Sequence, residues 1–280
     1  MKDNRTVKGH CSPLRYPGGK TFLFHFFDTL LTNKSVTKAT FVEPFAGGAG
    51  VSLALLLNQR VESIIINDLD IAIYSFWKSS VFHSKKFINK ILSTPVTIEQ
   101  WAIQKAVYSN PQDHDEFSVG FATFFLNRTN RSGIIEGGPI GGTAQNGLWK
   151  IDARFNKEAL IERIELIAKF KKQIQVENKE GVVLVKEILK KKGVIVFADP
   201  PYFEKGSSLY LNHFQLQDHQ LLARTLNKNS NANWVLTYDN KKVIKSLYSE
   251  RQTINFTLNY RAYGSRIGKE LMILSDSLAV

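Results

Sequence analysis

Thr40-Phe41-Val42-Glu43-Pro44-Phe45-Ala46-Gly47-Gly48-Ala49-Gly50 decides the fold. Thr40–Glu43 reads as a short strand that breaks at Pro44, and an apolar helical run, Val51–Leu57, follows the glycines. Ser63–Asn67 carries Ile64-Ile65-Ile66, a fully apolar strand that meets Asp68. Strand, glycine-rich turn, helix, strand and acid make a βαβ unit, which implies a parallel sheet. Glycines at the end of a first strand let the backbone turn tightly and approach a ligand, and the next helix points its free amides there. The turn is not a GxxxxGK[ST] loop and not a full GxGxxG, so alone it serves equally as a structural turn. Asp68 stands where an acid would accept hydrogen bonds from ribose hydroxyls, or it caps the next helix.

A second unit lies downstream. Gln173–Glu177 reads as a strand, Lys179–Lys192 as a helix, and Val194–Ala198 as a strand that meets Asp199-Pro200-Pro201-Tyr202. Trp234–Thr237 and Leu271–Leu274 read as further strands. Two consecutive prolines remove two donors and stiffen the turn, leaving the Pro200 carbonyl without a regular partner. The Asp199 carboxylate and that carbonyl are two acceptors for an amino group, and Tyr202 adds a flat ring. An exocyclic amine on a planar base fits all three features. Residues 75–154 differ, with helical stretches at Ser84–Leu92, Ile98–Val107 and Val119–Leu126 and six glycines within Gly133–Gly147. They read as a mostly helical insertion closing in a glycine-rich loop.

The 280 residues suffice for one large domain or for a core with an insertion. Hydrophobic residues make up 43%, which excludes a largely disordered chain. No apolar run approaches the roughly 20 residues that span a bilayer, and no signal-peptide pattern is visible at Met1–Arg5. One cysteine, Cys11, makes no internal disulfide and suits a reducing cytoplasm. The six histidines, His213 among them, show no metal-ligand spacing. The formal charge of +12 suits an acidic polymer such as nucleic acid, although solubility alone would also account for it.

Together these pieces resemble the Dam-like, alpha-ordered (D12 class) DNA adenine-N6 methyltransferases, in motif order as well as in motifs. Tyr16-Pro17-Gly18-Gly19-Lys20 looks like the N-terminal cofactor motif, Glu43–Gly50 the methionine-pocket loop, Asn67-Asp68 the ribose motif and Asp199–Tyr202 the catalytic motif. Phe125-Leu126-Asn127-Arg128 resembles the start of a DNA-reading hairpin. Asn259–Gly264 with Lys269-Glu270-Leu271 resembles a basic C-terminal loop and last strand.

The resemblance implies an α/β, Rossmann-like methyltransferase with a mixed seven-stranded sheet, using S-adenosylmethionine. Residues 1–74 and 155–280 would form the catalytic domain and 75–154 the inserted target-recognition domain. Tyr16, Lys20, Pro44, Phe45, Gly47, Gly48, Asp68 and Asp199 would surround the cofactor. Asp199, Pro200 and Tyr202 would serve catalysis, with Tyr202 stacked on a flipped adenine. Double-stranded DNA would meet Asn127, Arg128, Arg131, Arg261 and Arg266. For Asn127 a helix cap, and for Arg128 and Arg131 an ion pair or cap within the insertion, are equally open. The glycine-rich loop would insert into the duplex or order itself on DNA. Trp77, Trp101, Trp149 and Trp234 read as packing. A monomer is expected, with a cognate restriction endonuclease as a partner in some settings. The rival readings are an RNA adenine methyltransferase and an inactive DNA-binding relic.

Overall fold

The computed structural model describes residues 11–16, 18–36, 38–203, 214–260 and 266–279. Its sheet contains β1 (Thr40–Glu43), β2 (Ser63–Asn67), β3 (Ile174–Glu177), β4 (Val194–Ala198), β5 (Trp234–Asp239), β6 (Gln252–Tyr260) and β7 (Arg266–Leu274). The spatial order is β3-β2-β1-β4-β5-β7-β6. The first five are parallel, while β7 runs antiparallel to both β5 and β6. The strand order reverses between β1 and β4, so a crevice opens beyond their carboxyl ends, where ligands bind in such sheets. Glu43 and Asp199 flank that point.

Parallel strands covered on both faces are apolar throughout, and all of Val194–Ala198 is buried. Alternate residues serve opposite faces. Phe41, Ile64, Ile66, Ile195 and Phe197 join one apolar cluster, while Val42, Ile65, Val196, Ala198 and Leu236 join the other.

Ten helices are described: α1 (Phe24–Asn33, after a 3-10 turn at Thr21–Leu23), α2 (Gly50–Leu57), α3 (Ile71–Phe82), α4 (Ser84–Ser93), α5 (Ile98–Ser109), α6 (Glu116–Thr129), α7 (Lys157–Ala168), α8 (Gly181–Ile188), α9 (Leu216–Lys228) and α10 (Lys242–Leu247). Most of the longer ones start on side-chain caps: Asp70, Thr97, Asp115 and Asn156 each accept a backbone amide of the first turn. α8 is shorter than the run Lys179–Lys192 suggests, because Lys190–Lys192 lie exposed beyond its end. Strand β6 and helices α3 and α7 extend the elements anticipated from sequence, and β7 pairs on both sides.

Helix α3 crosses the boundary expected between residues 74 and 75. It packs on α6 so closely that a Cβ on Gly120 would lie 2.3 Å from the Ser75 carbonyl oxygen. Phe76 stacks on Phe124 at 5.9 Å. Phe76, Trp77, Phe121, Phe124 and Phe125 share one apolar cluster with Phe27, Phe41 and Ile64 of the sheet layer. The helices of the middle segment therefore rest on the sheet's own core.

Candidate active site

The glycine-rich turn leaves β1 at Glu43 and enters α2 through Ala49, whose φ of 46° is left-handed. Glu43 is buried and accepts both the amide and the hydroxyl of Ser52 at 2.6 Å, which ties the start of α2 to the strand end. Burial is the main reason its carboxyl is pushed up to about 7, with the nearby Asp199 charge adding to it.

Gly47 adopts φ +45°, and a Cβ there would lie 2.5 Å from the Tyr16 ring. Only glycine allows both the turn and this contact. The Gly47 amide donates to Asp68 Oδ2 at 2.8 Å, and its carbonyl accepts the Trp77 indole N–H at 2.8 Å. Trp77 thus packs as expected and also pins the turn. Asp68 is not the cap of α3, a role taken by Asp70. Its Oδ1 accepts the Asp70 amide at 3.0 Å. Burial foremost, then the Asp70 charge, pushes the Asp68 carboxyl up to about 7. Asn67 is buried and bridges the Pro44 carbonyl (2.7 Å) to the Lys179 backbone (2.9 and 3.0 Å), fixing the turn to the loop before α8. Phe45 is half-buried and lies against Gly181, where a Cβ would meet the ring at 2.2 Å.

The turn after β4 holds the densest polar network. Asp199 Oδ2 accepts Lys20 Nζ at 3.0 Å, and Lys20 also donates to the Gly18 carbonyl at 2.8 Å. Asp199 Oδ1 accepts the Thr237 hydroxyl at 2.5 Å. The Tyr202 hydroxyl lies 2.8 Å from Glu270 Oε2 and 3.1 Å from Asp199 Oδ1. Lys20 Nζ is 3.6 Å from Glu270 Oε2 and 5.0 Å from the centroid of the Tyr202 ring. Burial pushes Glu270 up to about 7, with Lys20 opposing and Asp199 reinforcing the shift. Among the described residues the Pro200 carbonyl accepts no hydrogen bond, as the double proline implies. Thr237 and Glu270 were not singled out from the sequence.

Tyr202 differs from expectation. Its ring is 9% exposed and packs in the apolar cluster beside Tyr238, at 6.1 Å between centroids. Its hydroxyl is held between two carboxylates.

The expected DNA contacts divide. Asn127 is fully buried; its amide donates to the carbonyls of Arg15 (3.0 Å) and Gly133 (2.8 Å) and accepts the Arg15 amide at 2.7 Å. In this structure the Asn127 side chain thus bonds backbone of the N-terminal turn and of the loop at Gly133. Arg128 is 8% exposed, with Nε buried and unpartnered. Burial, then the charges of Arg163, Arg15 and Arg154, lowers its pKa to about 9. Arg131 is exposed beside the glycine-rich loop, near Gly142. That loop is folded on Gln145, whose side chain bonds the Ile140 carbonyl (2.8 Å) and the Ile151 amide (2.9 Å). Trp149 is 65% exposed, contrary to a packing role. Arg261, His213 and Pro17 lie outside the described residues, and the side chain of Arg266 is not described.

A reversed strand order with a glycine turn at β1, an acid after β2 and an acid–double-proline–tyrosine turn after β4 defines a Rossmann-like methyltransferase. The chain belongs to the D12 class N6 adenine-specific DNA methyltransferase family, whose model matches residues 16–261. It is an adenine-specific DNA methyltransferase. No match was found among curated proteins. No helix among the described residues is long and apolar enough to cross a membrane.

Proposed function

We propose that this enzyme takes its methyl group from S-adenosylmethionine and places it on adenine N6 in double-stranded DNA after the base has left the stack. The observation that carries the reading is Asp199, at the carboxyl end of β4 beside the switch point, with Lys20 and Thr237 fixing both of its oxygens.

The residues present fit an adenosyl sulfonium. Asp68 accepts one amide on each oxygen and retains lone pairs for ribose hydroxyls. Phe45 offers apolar surface at the mouth of the turn, and Tyr16 closes over Gly47 and Gly48. The carboxylates Asp199 and Glu270 stand together beside Lys20, and their oxygens suit a cationic ligand. When bound, the cofactor supplies an activated methyl, so this chain needs no covalent intermediate.

Asp199 and the Pro200 carbonyl then accept hydrogen bonds from the target amine. This orients its lone pair toward the methyl group and stabilises positive charge as it develops on nitrogen. A base paired within a duplex cannot reach a carboxylate set in this crevice, which is why flipping is part of the reading. Lys20 holds the Asp199 carboxylate in its rotamer through a charge-assisted bond. Residues 75–154 would carry target recognition, with Arg131 and the turn at Gly133–Gly147 toward DNA. The protein would act as a monomer, and a paired endonuclease is compatible with the family.

The test is transfer of labelled methyl to unmethylated duplex DNA, followed by identification of the modified base. Label on adenine N6 in one short sequence is expected, with Asp199→Ala losing at least about a thousand-fold while retaining its fold. Normal turnover by that variant would overturn the assignment.

A further inference from the structure

After the methyl group arrives, the amine nitrogen is cationic and must lose a proton. Asp199 is its neighbour in the reading above, and Lys20 at 3.0 Å already occupies its Oδ2. A second carboxylate lies behind it. Glu270, on β7, is 1% exposed and bonded at 2.8 Å to the hydroxyl of Tyr202, which also lies 3.1 Å from Asp199 Oδ1. A phenol carries one proton, so in any one state it can donate to only one of these two acids.

Among the described residues, the charged groups facing Glu270 are few. Lys20 comes from the turn before α1, at 3.6 Å, and Asp199 from the end of β4. Asp239 is the direct cross-strand neighbour on β5, and its carboxylate accepts the Phe203 amide at 3.3 Å. On the other side, β6 sets Phe256 opposite. Glu270, Tyr202 and Asp199 thus form one chain of hydrogen-bonding oxygens, with Lys20 alongside it.

We propose that Glu270 Oε2 is the resting place of the proton lost by the target amine, reached from Asp199 through the Tyr202 hydroxyl. The proposal rests on the reading of Asp199 as the group that contacts the amine. In the step, an N–H bond breaks and an O–H bond forms on Asp199. That proton passes from Oδ1 to the tyrosine oxygen as the tyrosine's own proton passes to Glu270 Oε2. Asp199 ends ionised, Tyr202 neutral and Glu270 neutral, with no electron transferred. Burial raises the affinity of Glu270 for a proton, while the phenol's pKa is raised far too high for a free phenolate to form, so the two transfers are concerted. Once the products leave, the proton returns through Tyr202 to Asp199 and from there to solvent. Glu270 acts through Tyr202 and is a positioning and proton-holding residue.

The experiment measures single-turnover methyl transfer to duplex DNA between pH 5.5 and 9, for the wild type, Glu270→Gln, Glu270→Asp and Tyr202→Phe. The wild-type rate is expected to rise with pH through one ionisation near 7, when Glu270 is free to accept. Glu270→Gln and Tyr202→Phe should lose about a hundred-fold and show no such rise, and Glu270→Asp should restore part of the rate together with the ionisation. A Glu270→Gln or Tyr202→Phe variant that keeps the wild-type profile overturns the relay while leaving methyl transfer itself established. A second readout needs no DNA or cofactor: the carboxyl signal of Glu270 in protein labelled with 13C at glutamate Cδ, assigned by its loss in Glu270→Gln. Its midpoint should move on Tyr202→Phe and on Asp199→Asn. A titration indifferent to both substitutions overturns the proposal, even in a preparation that transfers nothing.

Discussion

Lys20 and Asp199 lie 179 residues apart in sequence, and Nζ of one meets Oδ2 of the other at 3.0 Å. Both the family's N-terminal motif and its catalytic motif therefore end on the same bond. The ammonium is 4% exposed and is also held by the Gly18 carbonyl.

Replacing Lys20 by Met should leave two acids without their cation. Removing one partner of a buried pair costs about 3–5 kcal/mol, less here because Asp199 keeps 23% exposure. The loss of thermal stability in Lys20→Met should grow between pH 5 and pH 8 as Glu270, pushed up to about 7, ionises, and methyl transfer should fall at least about a hundred-fold. Calorimetry at both pH values checks the first, and a transfer assay the second. An equal loss at both pH values would deny the pairing its electrostatic role.

Glu43 sets a pH dependence of folding. Its folded-state value of about 7 lies above its ordinary 4.5, so the folded protein holds this proton more tightly than the unfolded chain. The sign follows: this contribution is fully present below 4.5 and is lost as pH rises through about 7, by up to about 3 kcal/mol. Glu43→Gln mimics the protonated acid and keeps an acceptor for the Ser52 amide and hydroxyl. Its melting temperature relative to the wild type should therefore be higher at pH 8 than at pH 5. Parallel melting curves for both proteins across this range would deny the shift.

Asn127 and Arg131 separate structure from DNA contact. Asn127→Ala strands the Arg15 amide and two buried carbonyls, so a loss of about 1–3 kcal/mol is expected, with no change in how DNA affinity depends on salt. Arg131→Ala should barely affect stability but should reduce the slope of log affinity against log salt by about 0.9 if it meets one phosphate. Denaturant melts and binding at several salt concentrations decide both.

Much of this was legible in the sequence where apolar runs and special residues coincide. Phe41-Val42 and Ile64-Ile65-Ile66 announce buried parallel strands, and the glycines and prolines mark the turns that end them. Helix α3 was not legible, because Ile71–Phe82 is buried on most sides and shows no polar stripe. Strand β6 does carry an alternation, Ile254, Phe256 and Leu258 between polar residues, which a stricter count would have found. Thr237 ends the run read as a strand without a motif of its own, and Lys269-Glu270-Leu271 marks a last strand without pointing to Asp199. Glu270 comes to the Asp199 network only because β7 enters the sheet antiparallel beside β5, a pairing that no short stretch of sequence encodes. The backbone bonds of Asn127 are likewise invisible in its motif, because tertiary packing makes them.

The placing of β7 between β5 and β6 has a consequence for synthesis. A nascent chain can present its glycine turn and its Asp-Pro-Pro-Tyr turn while β7 is still inside the ribosome. Until that hairpin emerges and its second arm slides in beside β5, Tyr202 has no Glu270 to hold it. The polar network around Asp199 is thus complete only once the last strand is in place.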